Sequence, residues 1–259
     1  MIFSPRNVFR GLLLASAIGY CLSGYSNGQL IFVFYLLLYT LGLTYHLLFD
    51  KVRSKLFIWV FSLFIVSSAF GVFFSFNGIP KGERGAIIYL YTVQLFWILG
   101  FILIFLKMIK EHPFKFRLNK WSWVIIIILA LDLLFANKII TWADSFGLST
   151  MHILYSFAYT ILKMVLLSIG LIYHIGNMNT SIRISLITAA FLFFFLSDIT
   201  DVFNTLFFYE NPIFGISILK SGMFCIALVF FYMYCVTPEP AGILKNEFKA
   251  YNKNVGKMA

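Results

Sequence analysis

Asp198 and Asp201 stand three residues apart in an otherwise apolar stretch, Ile184 to Phe208, directly after the run Phe191-Leu192-Phe193-Phe194-Phe195-Leu196. An ionised carboxylate in hydrocarbon is costly, so acids in such a segment face the bundle interior and either pair or work. Such a pair could bind a lipid headgroup or relay a proton. Ser197, four residues before Asp201, and Asn204, three after it, fall on the same helix face. A stripe this polar is not expected to face lipid.

The elements that must position these residues follow from composition. Hydrophobic residues make up 61% of the 259-residue chain and charged residues 12%. Apolar stretches of about 20 residues recur along its length, the signature of a polytopic all-α membrane bundle. Eight spans are expected: Val8–Tyr25, Leu30–Phe49, Leu56–Phe76, Ala86–Leu106, Trp121–Phe135, Ile153–Tyr173, Ile184–Phe208 and Ile213–Val236. Asp132 interrupts the fifth, and without it the C-terminus would lie on the other side. The whole stretch 1–236 reads as one transmembrane domain.

Charge favours the eight-span reading. With the N-terminus cytoplasmic, the inside segments hold fifteen cations: Arg6, Arg10, Lys51, Arg53, Lys55, Lys107, Lys110, Lys115, Arg117, Lys120, Arg183, Lys245, Lys249, Lys253 and Lys257. The outside holds Lys81, Arg84 and Lys138. The positive-inside rule then places both termini in the cytoplasm and the chain in a cell membrane, expected to be a bacterial inner membrane. The net charge of +10 has the same origin, so the partners expected are membrane lipids and not nucleic acid.

Both ends carry weaker signals. Arg6, Arg10 and the run Leu12-Leu13-Leu14-Ala15-Ser16-Ala17 resemble a signal peptide, but apolar residues continue past the small triplet, so an uncleaved first span is expected. Tyr20 is too large for a lipoprotein anchor at Cys21. After Val236, Thr237-Pro238-Glu239-Pro240 should break the helix, leaving a basic tail, 237–259. There Ile243, Leu244, Phe248 and Tyr251 against Lys245, Lys249 and Lys253 describe either an interfacial helix or a frayed end.

Depth can be counted at ~1.5 Å per residue. Asp201 lies seven residues below Phe208 and Lys220 seven below Ile213, so on antiparallel neighbours both sit about 10 Å deep. Asp198 and Lys163 each lie ten residues in, and Gln94 eight below Ala86. One polar layer in the outer half of the bundle is therefore expected. It is either a pair of buried ion pairs, Asp201 with Lys220 and Asp198 with Lys163, or a pocket for a lipid headgroup or a proton.

Other residues offer less. His46, His112, His152 and His174 fall at different levels, so no shared metal is expected. Cys21, Cys225 and Cys235 lie inside spans without metal or redox spacing and read as small buried side chains. Tyrosines 20, 35, 39, 89, 91, 155 and 159 read as packing or interface anchors. Ser197 has neither a Gly-x-Ser-x-Gly elbow nor a triad partner, and no cofactor motif is present.

The stretch Thr188-Ala189-Ala190-Phe191-Leu192-Phe193-Phe194-Phe195-Leu196-Ser197-Asp198 resembles the YhhN family of eight-span membrane proteins, some of which are lysoplasmalogenases. Fainter similarities are Tyr159-Thr160-Ile161-Leu162-Lys163-Met164 and Phe96-Trp97-Ile98-Leu99-Gly100 with Phe105. The chain departs from the family where it lacks an acid in the third span, an early Lys-Pro and a fourth-span His, for which Leu106 or Lys107 stands. The resemblance implies hydrolysis of a lysoplasmalogen vinyl ether. Asp198 and Asp201 would serve as acid and ionised partner, with Lys163 or Lys220 setting which keeps its proton. The alternatives are a non-enzymatic carrier or transporter of lipid or another small molecule, and a structural membrane protein.

Overall fold

The structure, a computed structural model, describes residues 4–26, 28–78, 88–111, 162, 164–171, 182–207 and 213–238, with seven helical positions between 123 and 137. The expected fifth and sixth spans and the tail beyond Pro238 fall largely or wholly outside these residues. Helix α1 spans Pro5–Ser26, α2 Gly28–Phe49 and α3 Lys55–Asn77. A π-helical turn, Leu90–Gln94, leads into α4, Leu95–Glu111; α5 spans Ile182–Phe207 and α6 Phe214–Val236.

Local chemistry sets several of these limits. Pro5 opens α1, where its missing N–H is no loss, and the Ser4 hydroxyl accepts from the Asn7 amide at 3.4 Å. Ser54 caps α3 by accepting from the Phe57 amide, and Gly78 ends it at φ 81°, a left-handed conformation that favours glycine. Helix α6 stops at Val236, where Thr237 and Pro238 follow, as expected. The π turn was not foreseen. Its register shift disturbs the backbone ladder, and Ser67 on α3 donates to the Val93 carbonyl at 2.8 Å. The expected fourth span also runs further, to Glu111, carrying Lys107 and Lys110 within the helix.

Five helical stretches are long and apolar enough to cross a membrane: Leu30–Phe49, Lys55–Asn77, Thr92–Lys110, Ile182–Asp201 and Phe214–Val236. Helix α1, expected as the first span, is not among them, because Arg6, Asn7, Arg10 and its serines and glycines dilute its apolar content. It nevertheless packs lengthwise on α2 and α6. The most extensive contact joins α5 to α6, followed by α2 with α3, α1 with α2 and α3 with α4. Large apolar side chains point outward, among them Leu14, Trp59, Phe73, Phe76, Leu106 and Val229. So much outward apolar surface suits lipid rather than water. The chain is a multi-pass helical membrane protein.

Aromatic rings fill the interior. Phe64 stacks on Trp97 with centroids 4.5 Å apart, and Tyr35, Tyr39, Phe101, Phe194 and Phe224 surround them. The helices approach closely where a ring lies on a glycine of its neighbour. A Cβ on Gly71 would strike the Phe32 ring, and one on Gly19 the Phe34 ring. Small residues at helix contacts are how membrane helices gain packing without a hydrophobic drive.

Candidate functional site

The stripe on α5 meets α6 residue by residue. Lys220 donates from Nζ to Asp201 Oδ1 at 2.5 Å, the pairing expected from depth. One turn deeper, buried Ser197 donates to the Lys220 carbonyl at 3.0 Å. One turn nearer the outer end, Asn204 donates from Nδ2 to Ser217 at 3.3 Å. Its Oδ1 accepts from the Ile213 amide at 3.2 Å, satisfying a donor at the start of α6. Four of the predicted site residues, Ser197, Asp201 and Asn204 on α5 and Lys220 on α6, thus fasten two helices together.

The ion pair differs from expectation in its burial. The Asp201 side chain is 49% exposed and that of Lys220 27%, so the pair is half-buried rather than sealed in the bundle. Both lie less than two turns from the outer ends of their helices, where the desolvation cost that burdens a fully buried pair is reduced. Asp198 is also half-buried. Lys163, its expected partner, lies outside the described residues. Gln94 sits in the π turn, with its Oε1 buried and no hydrogen-bond partner for that atom among the described residues.

A second polar layer lies at the opposite end of the bundle and was not foreseen as a site. Fully buried His46 hydrogen-bonds through Nδ1 to Asp50 Oδ2 at 2.8 Å. Its Nε2 accepts from the Ser54 amide at 3.0 Å. An Nε2 that accepts carries no proton, so Nδ1 is the donor and the ring is neutral in this arrangement. Tyr232, on α6, donates to the same Asp50 oxygen at 2.6 Å. The α2–α3 loop is thereby closed on itself and tied to the last helix.

Beside this latch, Arg6 and Arg10 both donate from Nε to the Tyr45 hydroxyl, at 2.9 and 3.1 Å. Their guanidinium carbons lie 5.8 and 6.0 Å from the centre of the Tyr45 ring. The bond to Tyr45 raises the Arg6 pKa further, favouring its charged form. Neither arginine forms an ion pair among the described residues.

These arginines stand at one end of an apolar cavity of about 470 Å³ between α1, α2, α3 and α6. Leu13, Leu14, Ala17, Leu38, Gly42, Phe57, Phe61, Cys225, Leu228 and Val229 line it, with Tyr45 and Tyr232 near the arginines. Neither aspartate of the α5 stripe lines it. The volume falls in the range of small-molecule sites, about 300–1,000 Å³. A partly open apolar cleft with charge at one end can accept the tail of an amphiphile while the charges meet its head.

The sequence contained some of this. His46 and Asp50 have the four-residue spacing of helix neighbours, and Ser54 before an apolar run is a helix-start signal. Reading Arg6 and Arg10 only as topology signals, and the tyrosines as anchors, hid the rest. Among the described residues, no group of three or more His, Cys, Asp or Glu is placed to hold a metal. No family model, curated protein or solved structure matches this chain.

Proposed function

We propose that this protein is a non-enzymatic lipid carrier of the membrane, holding an acyl chain in the cavity between α1, α2, α3 and α6. The observation that carries the reading is the cavity itself: apolar, about 470 Å³, and reaching from Arg6 to Cys225. Arg6 and Ala17 are separated along α1 by about 16 Å at ~1.5 Å per residue, roughly half the ~30 Å hydrocarbon thickness. That is the depth of one leaflet. In this reading the chain has eight spans with both termini cytoplasmic, and the cavity serves the inner leaflet. The α5 stripe is scaffold, because Ser197, Asp201 and Asn204 all bond to α6.

Cys225 lines the cavity and reports its occupancy. With Cys21 and Cys235 replaced by Ala, monopalmitoylglycerol is expected to slow alkylation of Cys225 by N-ethylmaleimide in detergent-solubilised protein. Equal rates with and without lipid, for monopalmitoylglycerol and for anionic single-chain lipids alike, would remove the carrier reading.

A hydrolase of the YhhN kind is the second reading, favoured by the one-face placement of Asp198 and Asp201 three residues apart on α5. Incubating purified protein with lysoplasmalogen and measuring released aldehyde separates the two. The carrier reading expects no release above a protein-free control. Release that disappears in Asp198→Asn would replace it with the hydrolase.

A further inference from the structure

The charge at the cavity's end narrows the ligand, given the lipid reading above. Arg6 and Arg10 converge on one neutral hydroxyl, that of Tyr45, at 2.9 and 3.1 Å. Two guanidiniums sharing a neutral acceptor repel each other, and each spends only its Nε there. Among the described residues the Nη groups of both remain as donors, in the fork geometry that suits phosphate and carboxylate. The nearby carboxylate, Asp50, is already engaged by His46 and Tyr232. Exposed Lys51 and Arg53 adjoin it in the same loop and exposed Lys55 opens α3, so with Arg6 and Arg10 five described cations surround that one carboxylate.

We infer that the cavity selects a single-chain anionic amphiphile, its tail along Leu13, Ala17, Leu38 and Leu228 and its phosphate or carboxylate on Arg6 and Arg10. Tyr45 positions the two guanidiniums through its hydroxyl. An apolar cleft leading to two arginines that form no ion pair among the described residues is complementary to such a ligand at both ends. A neutral or zwitterionic lipid would leave the cationic excess in place. Anionic lipid is enriched in the cytoplasmic leaflet, the side on which charge asymmetry places this end of the bundle.

The test uses Cys225 alkylation on the full chain with Cys21 and Cys235 as Ala, in a neutral detergent at fixed micelle concentration and pH 8. Three probes are titrated: palmitoyl lysophosphatidic acid, palmitate and monopalmitoylglycerol. The anionic probes are expected to protect at concentrations about tenfold below the neutral one, the scale of one charge-assisted hydrogen bond. Lysophosphatidic acid protecting below palmitate identifies phosphate as the preferred head, and equal protection shows that a carboxylate suffices.

Arg6→Gln/Arg10→Gln is expected to erase the anionic preference, Arg6→Lys/Arg10→Lys to keep part of it, and added salt to weaken it in the unaltered chain. Protection by all three probes at one concentration overturns the anionic selection and leaves the carrier reading standing. Protection by none overturns both. A preference that survives in a folded Arg6→Gln/Arg10→Gln variant, checked by its melting curve, also overturns the inference.

Discussion

The two ends of the bundle handle charge in opposite ways. At the outer end Lys220 and Asp201 meet at 2.5 Å, and the neighbouring Ser197 and Asn204 add hydrogen bonds between the same two helices. The charge of Lys220 is there matched by Asp201 within the chain. At the inner end the carboxylate of Asp50 serves His46 and Tyr232, while Arg6 and Arg10 share a neutral phenol above an apolar cavity. In the carrier reading the layer whose charges pair is scaffold, and the layer that keeps an excess of one sign beside a cavity is the place for a ligand. Intramembrane acids draw attention first because their desolvation is costly. Here the informative charges are the ones whose cost the chain does not offset.

The contrast depends first on the two layers facing opposite sides of the membrane, and that test has the largest expected effect. In a chain with its three native cysteines replaced, a cysteine at Asn77 should react with an impermeant maleimide added outside intact cells, and one at Lys51 should not. The reverse pattern would exchange the leaflets assigned to the two layers.

Next in size is the inner latch. Asp50→Ala leaves the Tyr232 hydroxyl and the His46 Nδ1–H without their acceptor, and His46 is fully buried. A loss of about 2–4 kcal/mol is expected from detergent unfolding curves, two hydrogen bonds to a charged acceptor at ~1.5–3 kcal/mol each less partial recovery by water. A normal melt would mean that the loop does not depend on this latch.

The outer pair should matter less. Lys220→Met is expected to cost about 1–2 kcal/mol, below the ~3–5 kcal/mol of a fully buried pair, because the Asp201 side chain is 49% exposed. Lys220→Met/Asp201→Leu should recover most of the loss in a double-mutant cycle, as apolar replacement of an ion pair often does. Failure to recover would assign Asp201 a role beyond the clamp. The smallest effect is expected at the exposed arginines. Arg6→Gln or Arg10→Gln should leave the melting temperature unchanged or slightly raised at low salt, since each relieves like-charge repulsion. A clear drop would identify the arginines as structural.

Sequence by itself determined the class and much of the Asp201–Lys220 layer. Hydropathy marks α2, α3, α5 and α6 to within about two residues at each end, because a helix in lipid must bury its backbone and extend across the apolar thickness. The Asp201–Lys220 contact follows from equal depth on antiparallel neighbours joined by a short loop, so counting residues finds it. The inner site could not be counted out. Tyr232 and Asp50 are 182 positions apart, and only the return of α6 beside α2 and α3 brings them together. Arg6 and Arg10 read as topology signals in any N-terminal segment; that they converge on Tyr45, and that a cavity opens beneath them, was decided by how α1 lies on α2 and α6. Periodicity fixes which residues a helix can bury, and helix packing alone decides which charges are left over.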